Sequence, residues 1–63
     1  MKIKITNGVN LPSHVRDMGV REGDVFDAQE VPNTRLDAVR FMVFLDDELQ
    51  WCTVMGKNYK PVH

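Results

Sequence analysis

Sixty-three residues make a single domain, spanning 1–63, and a chain so short buries only about 60% of the surface its unfolded form exposes. Eight Lys and Arg against nine Asp and Glu leave a net charge of −1, which supplies no long-range attraction to DNA, RNA or an acidic membrane. A hydrophobic content of 43% argues against disorder, and the lone cysteine, Cys52, excludes an internal disulfide.

At the start of the chain Lys2, Lys4 and Thr6 alternate with Ile3 and Ile5, the period of a strand with one buried face, predicted over 2–6. This opening lacks the apolar run of a signal peptide, and no later segment has the length to span a membrane. With an unpaired thiol, the expectation is a cytoplasmic protein. Asn7-Gly8 marks a turn. Residues 9–22 are irregular, with Pro12, Gly19 and scattered apolar Val9, Leu11, Val15, Met18 and Val20. Ser13 is placed to cap one helical turn over 14–18. The segment reads as a long ordered loop whose apolar residues lie against the core.

Gly23-Asp24 releases a second strand over 25–31. Val25, Asp27, Gln29 and Val31 alternate there with Phe26, Ala28 and Glu30, and neither set is cleanly apolar, so its register stays open. Pro32-Asn33 ends it. Residues 38–55 hold two apolar, β-rich runs around Asp46-Asp47-Glu48, too polar to bury, and so form a hairpin with strands at 38–45 and 49–55. Gly56-Lys57-Asn58 makes a short connection to a last strand at 59–62, which Pro61 places near an edge.

Five strands with a long first loop, a medium second, a tight third turn and a one-turn fourth connection resemble the Src-homology-3-like small barrel. Met18-Gly19-Val20-Arg21-Glu22-Gly23-Asp24-Val25-Phe26 is similar to that family's turn before the second strand, and Asn58-Tyr59 to its Asn-Tyr before the last. The resemblance implies an all-β, five-stranded barrel. The size and turns also resemble small barrels encoded by bacteriophages and bacteria, many of which act on host proteins. The family's Ala-Leu-Tyr-Asp-Tyr-type segment and paired tryptophans are missing; Val39-Arg40-Phe41 stands where the tryptophans belong. Of its aromatic groove only Tyr59 matches, which argues against a proline-rich ligand.

Catalytic and metal chemistry find little support. One Cys and two His, at 14, 52 and 63, show no paired ligand spacing, and adjacent acids on a tight turn point apart. Cys52 lies mid-strand between Trp51 and Thr53, where cysteine behaves as a small hydrophobe. Ser13 and His14 are neighbours whose side chains diverge. No phosphate-binding glycine loop occurs. The expectation is no enzyme, no metal and no cofactor.

Binding remains. A nucleic-acid barrel would use Lys2, Lys4, Arg40, Lys57 and Lys60 with Trp51 or Phe44 as a stacking platform, although lysines on an outer edge strand equally guard against aggregation. For protein, the hairpin decides. A two-residue turn at Asp46-Asp47 sets Val43 against Gln50, Phe41 against Cys52 and Val39 against Val54 on one face. The other face carries Met42 with Trp51, Phe44 with Leu49, Ala38 with Met55 and Arg40 with Thr53. A three-residue turn would instead group Trp51 with Val43. Either way both faces are apolar: one fills the core, and the other is covered by the long loop, by a second copy or by a partner. The expected function is a non-catalytic protein-binding module using Trp51, Met42, Phe44, Leu49 and Arg40. The alternatives are nucleic-acid binding and a self-associating subunit.

Overall fold

The computed structural model describes residues 1–31 and 37–62. Strands dominate it: β1 Lys2–Ile5, β2 Val25–Asp27, β3 Gln29–Glu30, β4 Ala38–Leu45, β5 Glu48–Met55 and β6 Tyr59–Pro61. They form two antiparallel three-stranded sheets, ordered β2-β1-β6 and β3-β4-β5. One short helix, α1 Ser13–Asp17, and 3-10 turns at Gly8–Asn10 and Gly56–Asn58 complete the described elements. The all-β expectation holds at this level. Among the described residues, hydrogen bonding makes six strands in two sheets, not five in a closed barrel.

The extra strand comes from a corner at Ala28. Its N–H donates to the Met1 carbonyl at 2.6 Å, and the Met1 amine donates back to the Ala28 carbonyl at 2.9 Å. Before it, β2 pairs with β1, Phe26 opposite Ile3; after it, β3 pairs with β4, Gln29 opposite Arg40. The stretch predicted as one strand therefore serves both sheets. Ala28 is buried while Val25, Asp27 and Gln29 are exposed, so the small side chain lies where the two sheets meet. The turn expected at Pro32-Asn33 lies outside the described residues.

The core gathers Ile3 and Ile5 from β1, Val39 and Phe41 from β4, and Cys52 and Val54 from β5. Each large aliphatic or aromatic side chain withdrawn from water there contributes about 1.5–3 kcal/mol. Phe26 stacks on Phe41 with ring centroids 4.1 Å apart and planes 13° from parallel, joining the sheets. Leu11, Val15 and Val20 from the long loop enter the same core, and Met18 packs against it. Val9 does not: it is almost wholly exposed, against expectation, because the 3-10 turn points it outward.

Five residues cannot hold a helix alone, so α1 depends on burying Val15. Ser13 is its first residue rather than its cap. Pro12 occupies the cap position, its carbonyl accepting from the N–H groups of Val15 and Arg16 at 3.0 and 3.1 Å. Proline suits this place because its missing N–H is not needed there. Gly19, at φ 85°, then turns the chain away.

The hairpin is the longest pairing in the molecule. Asp46 and Asp47 both take positive φ, 52° and 63°, the two-residue type I′ geometry that matches strand twist. Register follows from that turn: Leu45 faces Glu48, Phe44 Leu49, Met42 Trp51, Phe41 Cys52 and Val39 Val54.

Candidate functional site

Because side chains alternate along a strand, the register that buries Phe41 and Cys52 turns Met42, Phe44, Leu49 and Trp51 the other way. The two-residue turn is realised, and the face opposite the core is set by it. Two apolar rows lie next to each other, Met42 with Trp51 and Phe44 with Leu49. Phe44 is 69% exposed, Leu49 65%, Trp51 48% and Met42 38%. The long loop, the expected cover, instead sends Leu11, Val15 and Val20 into the core, with Met18 packed against it. This face is uncovered among the described residues.

Each end of the face carries charge. Toward the root, Arg40 pairs with Thr53, and its guanidinium carbon lies 4.4 Å from the Trp51 ring centroid, a cation–π contact. Arg40 Nε is buried there and finds no hydrogen-bond partner among the described residues. At the tip, the turn residues Asp46 and Asp47 are exposed, while Glu48, also exposed, pairs with Leu45 on the opposite face. The next row toward the root, Ala38 with Met55, is more covered, with Ala38 buried. The face thus runs from basic through apolar to acidic over the outer half of the hairpin.

All five residues predicted for protein binding, Arg40, Met42, Phe44, Leu49 and Trp51, share this surface. The basic residues predicted for nucleic acid do not. Lys2, Lys4 and Lys60 lie together on the other sheet, with Lys4 directly opposite Lys60 and Lys2 opposite Asp27. Arg40 is on the hairpin sheet, and Lys57 is exposed on the 3-10 turn that joins the two. The lysines of β1 are not edge lysines, since β1 is the central strand of its sheet; only Lys60, on β6, lies at an edge.

Residues that could carry chemistry are dispersed. Cys52 is buried in the core, and that burial pushes its thiol above the usual cysteine range, away from thiolate. His14 is exposed on α1, and His63 lies outside the described residues. Among the described residues no three His, Cys, Asp or Glu gather as a metal would require, and no helix is long and apolar enough to cross a membrane.

The sequence reading missed one feature. Gly8, Leu11, Arg16, Val20, Arg21 and Glu22 line a hollow of about 160 Å³ in the long loop. Its apolar floor is Leu11 and Val20, and Glu22 Oε1 accepts the Gly8 N–H at 2.7 Å. The signal available was Arg16 and Arg21 flanking buried Val20, which a strand-centred reading passes over. No family model, curated protein or solved structure matches this chain.

Proposed function

We propose that this chain is a small barrel of the Src-homology-3-like kind and works as a non-catalytic protein-binding module through the outer face of the β4–β5 hairpin. Strand order supports the fold reading. If β2 and β3 are counted as one strand bent at Ala28, five remain, with a long first loop, a two-residue turn at Asp46-Asp47 and a one-turn link at Gly56–Asn58. Bends that carry a strand from one sheet to the next are how orthogonally packed sheets make their corners.

One observation carries the binding reading. Four large apolar side chains stand exposed in two adjacent rows while Leu11, Val15 and Val20 of the long loop are spent on the core. Tryptophan is strongly enriched among residues that dominate binding energy, and methionine adapts to irregular surfaces. In binding measurements, Trp51→Ala should cost about 2 kcal/mol or more of affinity and leave the fold intact. An unfolded Trp51→Ala chain, or a tryptophan resistant to iodide quenching in the monomer, would sink the reading.

The direct opposition of Lys4 and Lys60 supports a second reading, in which the β2-β1-β6 face holds a polyanion. Like charges set opposite each other destabilise a sheet by a few tenths of a kcal/mol to about 1 kcal/mol unless something neutralises them. Lys2 opposite Asp27, and a net charge of −1, weigh against it.

A further inference from the structure

We infer that the partner of the hairpin face is a second copy of this chain, packed face to face about a two-fold axis that sets Arg40 of each copy over the acidic tip of the other. Resting on the protein-binding reading above, this names the partner through the order of groups along the face.

That order is self-complementary. From root to tip it runs Arg40, then Met42 with Trp51, then Phe44 with Leu49, then the turn residues Asp46 and Asp47, while Glu48, paired with Leu45, belongs to the opposite face. A two-fold axis crossing the strands midway between the apolar rows reverses strand direction. Each apolar row then meets the other apolar row, and the basic end meets the acidic end. Arg40 and Asp46 stand about 20 Å apart along the strand, at about 3.4 Å per residue, and the axis uses that same spacing twice. Packing with the strands parallel would set acid on acid and Arg40 on Arg40, so charge selects one orientation. The opposite sheet offers no such match, because Lys4 and Lys60 stand together on it.

Arg40 is prepared for this contact. Its guanidinium carbon rests 4.4 Å from the Trp51 ring centroid, a contact that leaves less side-chain freedom to be lost when a carboxylate arrives. Area sets the strength. The four apolar side chains expose on the order of 400 Å² per copy, so two copies bury about 800 Å² there, with the charged ends adding to it. Interfaces below about 1,200 Å² are weak and transient. The dimer is therefore concentration-dependent.

Sedimentation equilibrium of the full chain, from about 1 μM to 1 mM, should show monomer at the low end and dimer at the high end. Trp51→Ala should abolish the dimer, and Arg40→Glu should weaken it about tenfold or more by turning both attractive ends repulsive. The tip is neutralised without strain by Asp46→Asn with Asp47→Gly, which keeps the type I′ turn. This tip variant should also be weakened alone. Mixed with the Arg40→Glu chain, it should dimerise better than either chain does by itself, since its Arg40 then meets an intact acidic tip and neither end is repulsive. Circular dichroism of every variant confirms that it is folded before its assembly is scored.

Three results would overturn the second-copy assignment: monomer throughout the range, a dimer indifferent to Trp51→Ala, or no gain on mixing. Iodide quenching of Trp51 in the dilute monomer separates this failure from that of the broader reading. A quenchable tryptophan on a chain that never dimerises leaves protein binding standing for an unlike partner. A shielded tryptophan removes both.

Discussion

Tyr59 donates its phenolic O–H to Asp37 Oδ1 at 2.5 Å, tying the first residue of β6 to the residue that precedes β4. The two are 22 residues apart in sequence, and β6 and β4 belong to different sheets, so the bond fastens one sheet to the lead-in of the other. The acceptor is a carboxylate, which holds the phenol neutral. With smaller contributions from burial and the charges of Asp37 and Glu30, it pushes the Tyr59 pKa up to about 12.

Tyr59 should therefore ionise late. The bond stabilises the neutral form, so its contribution is complete below the usual tyrosine pKa near 10 and is lost as pH rises from there through about 12. Ultraviolet titration of the single tyrosine should show a raised midpoint, and Asp37→Asn should bring it back toward 10. Gly56 supplies an independent check, because a Cβ at that position would collide with the Asp37 carboxylate. Gly56→Ala should thus displace Asp37 and lower the Tyr59 midpoint without touching either partner. An unchanged midpoint in both variants would mean the bond does not form.

Phe41 and Trp51 should respond oppositely to truncation. Phe41 is 1% exposed and stacked on Phe26, so Phe41→Ala should cost about 3–5 kcal/mol, enough to unfold a domain of this size. Trp51→Ala removes a half-exposed ring and its contact with Arg40, a loss of about 1 kcal/mol by the scale of exposed cation–π pairs. Thermal melts of the two variants should differ by tens of degrees.

Asn58 is fully buried, with Nδ2 donating to the Asn7 carbonyl at 3.4 Å and Oδ1 without a partner among the described residues. Asn58→Asp should place a carboxyl where its charge cannot be solvated, raising its pKa above the usual range near 4. The neutral acid can still donate to Asn7, so the variant should be most stable in acid. Its stability should fall as pH rises from about 4 through that raised value. A variant as stable at pH 7 as the parent would show that water reaches this site.

Asp46 and Asp47 both hold positive φ, where glycine and asparagine cost less than aspartate. Asp46→Asn with Asp47→Gly should therefore raise hairpin stability by a few tenths to about 1 kcal/mol, seen as a higher melting temperature. A lower melting temperature would mean that the two carboxylates stabilise the turn in some way the geometry does not reveal.

The lysine face makes a negative prediction. With a net charge of −1 and Asp27 opposite Lys2, DNA or RNA should bind no tighter than non-specifically at physiological ionic strength. Micromolar binding with a steep salt slope, abolished by Lys2→Glu with Lys4→Glu, would promote the polyanion reading over the protein one.

The pairing of Met42 with Trp51 waited on the two-residue turn that the structure shows, whereas local pattern alone determined the hairpin of 38–55 about an acidic tip, the β1 alternation and the Gly56–Asn58 turn. Each depends on neighbours in sequence: a side-chain period of two, or a short polar break between apolar runs. Three features needed the whole molecule. The strand at 25–31 shows no clean alternation because its halves answer to different sheets, and the corner at Ala28 depends on the far end of the chain at Met1. β1 became central rather than an edge only when β6 returned to pair with it. The uncovered hairpin face was decided by where Leu11, Val15 and Val20 went. Their hydrophobicity is the same whether they cap Trp51 or join Ile3 and Phe41, so their burial is a choice that only competition among tertiary contacts can make.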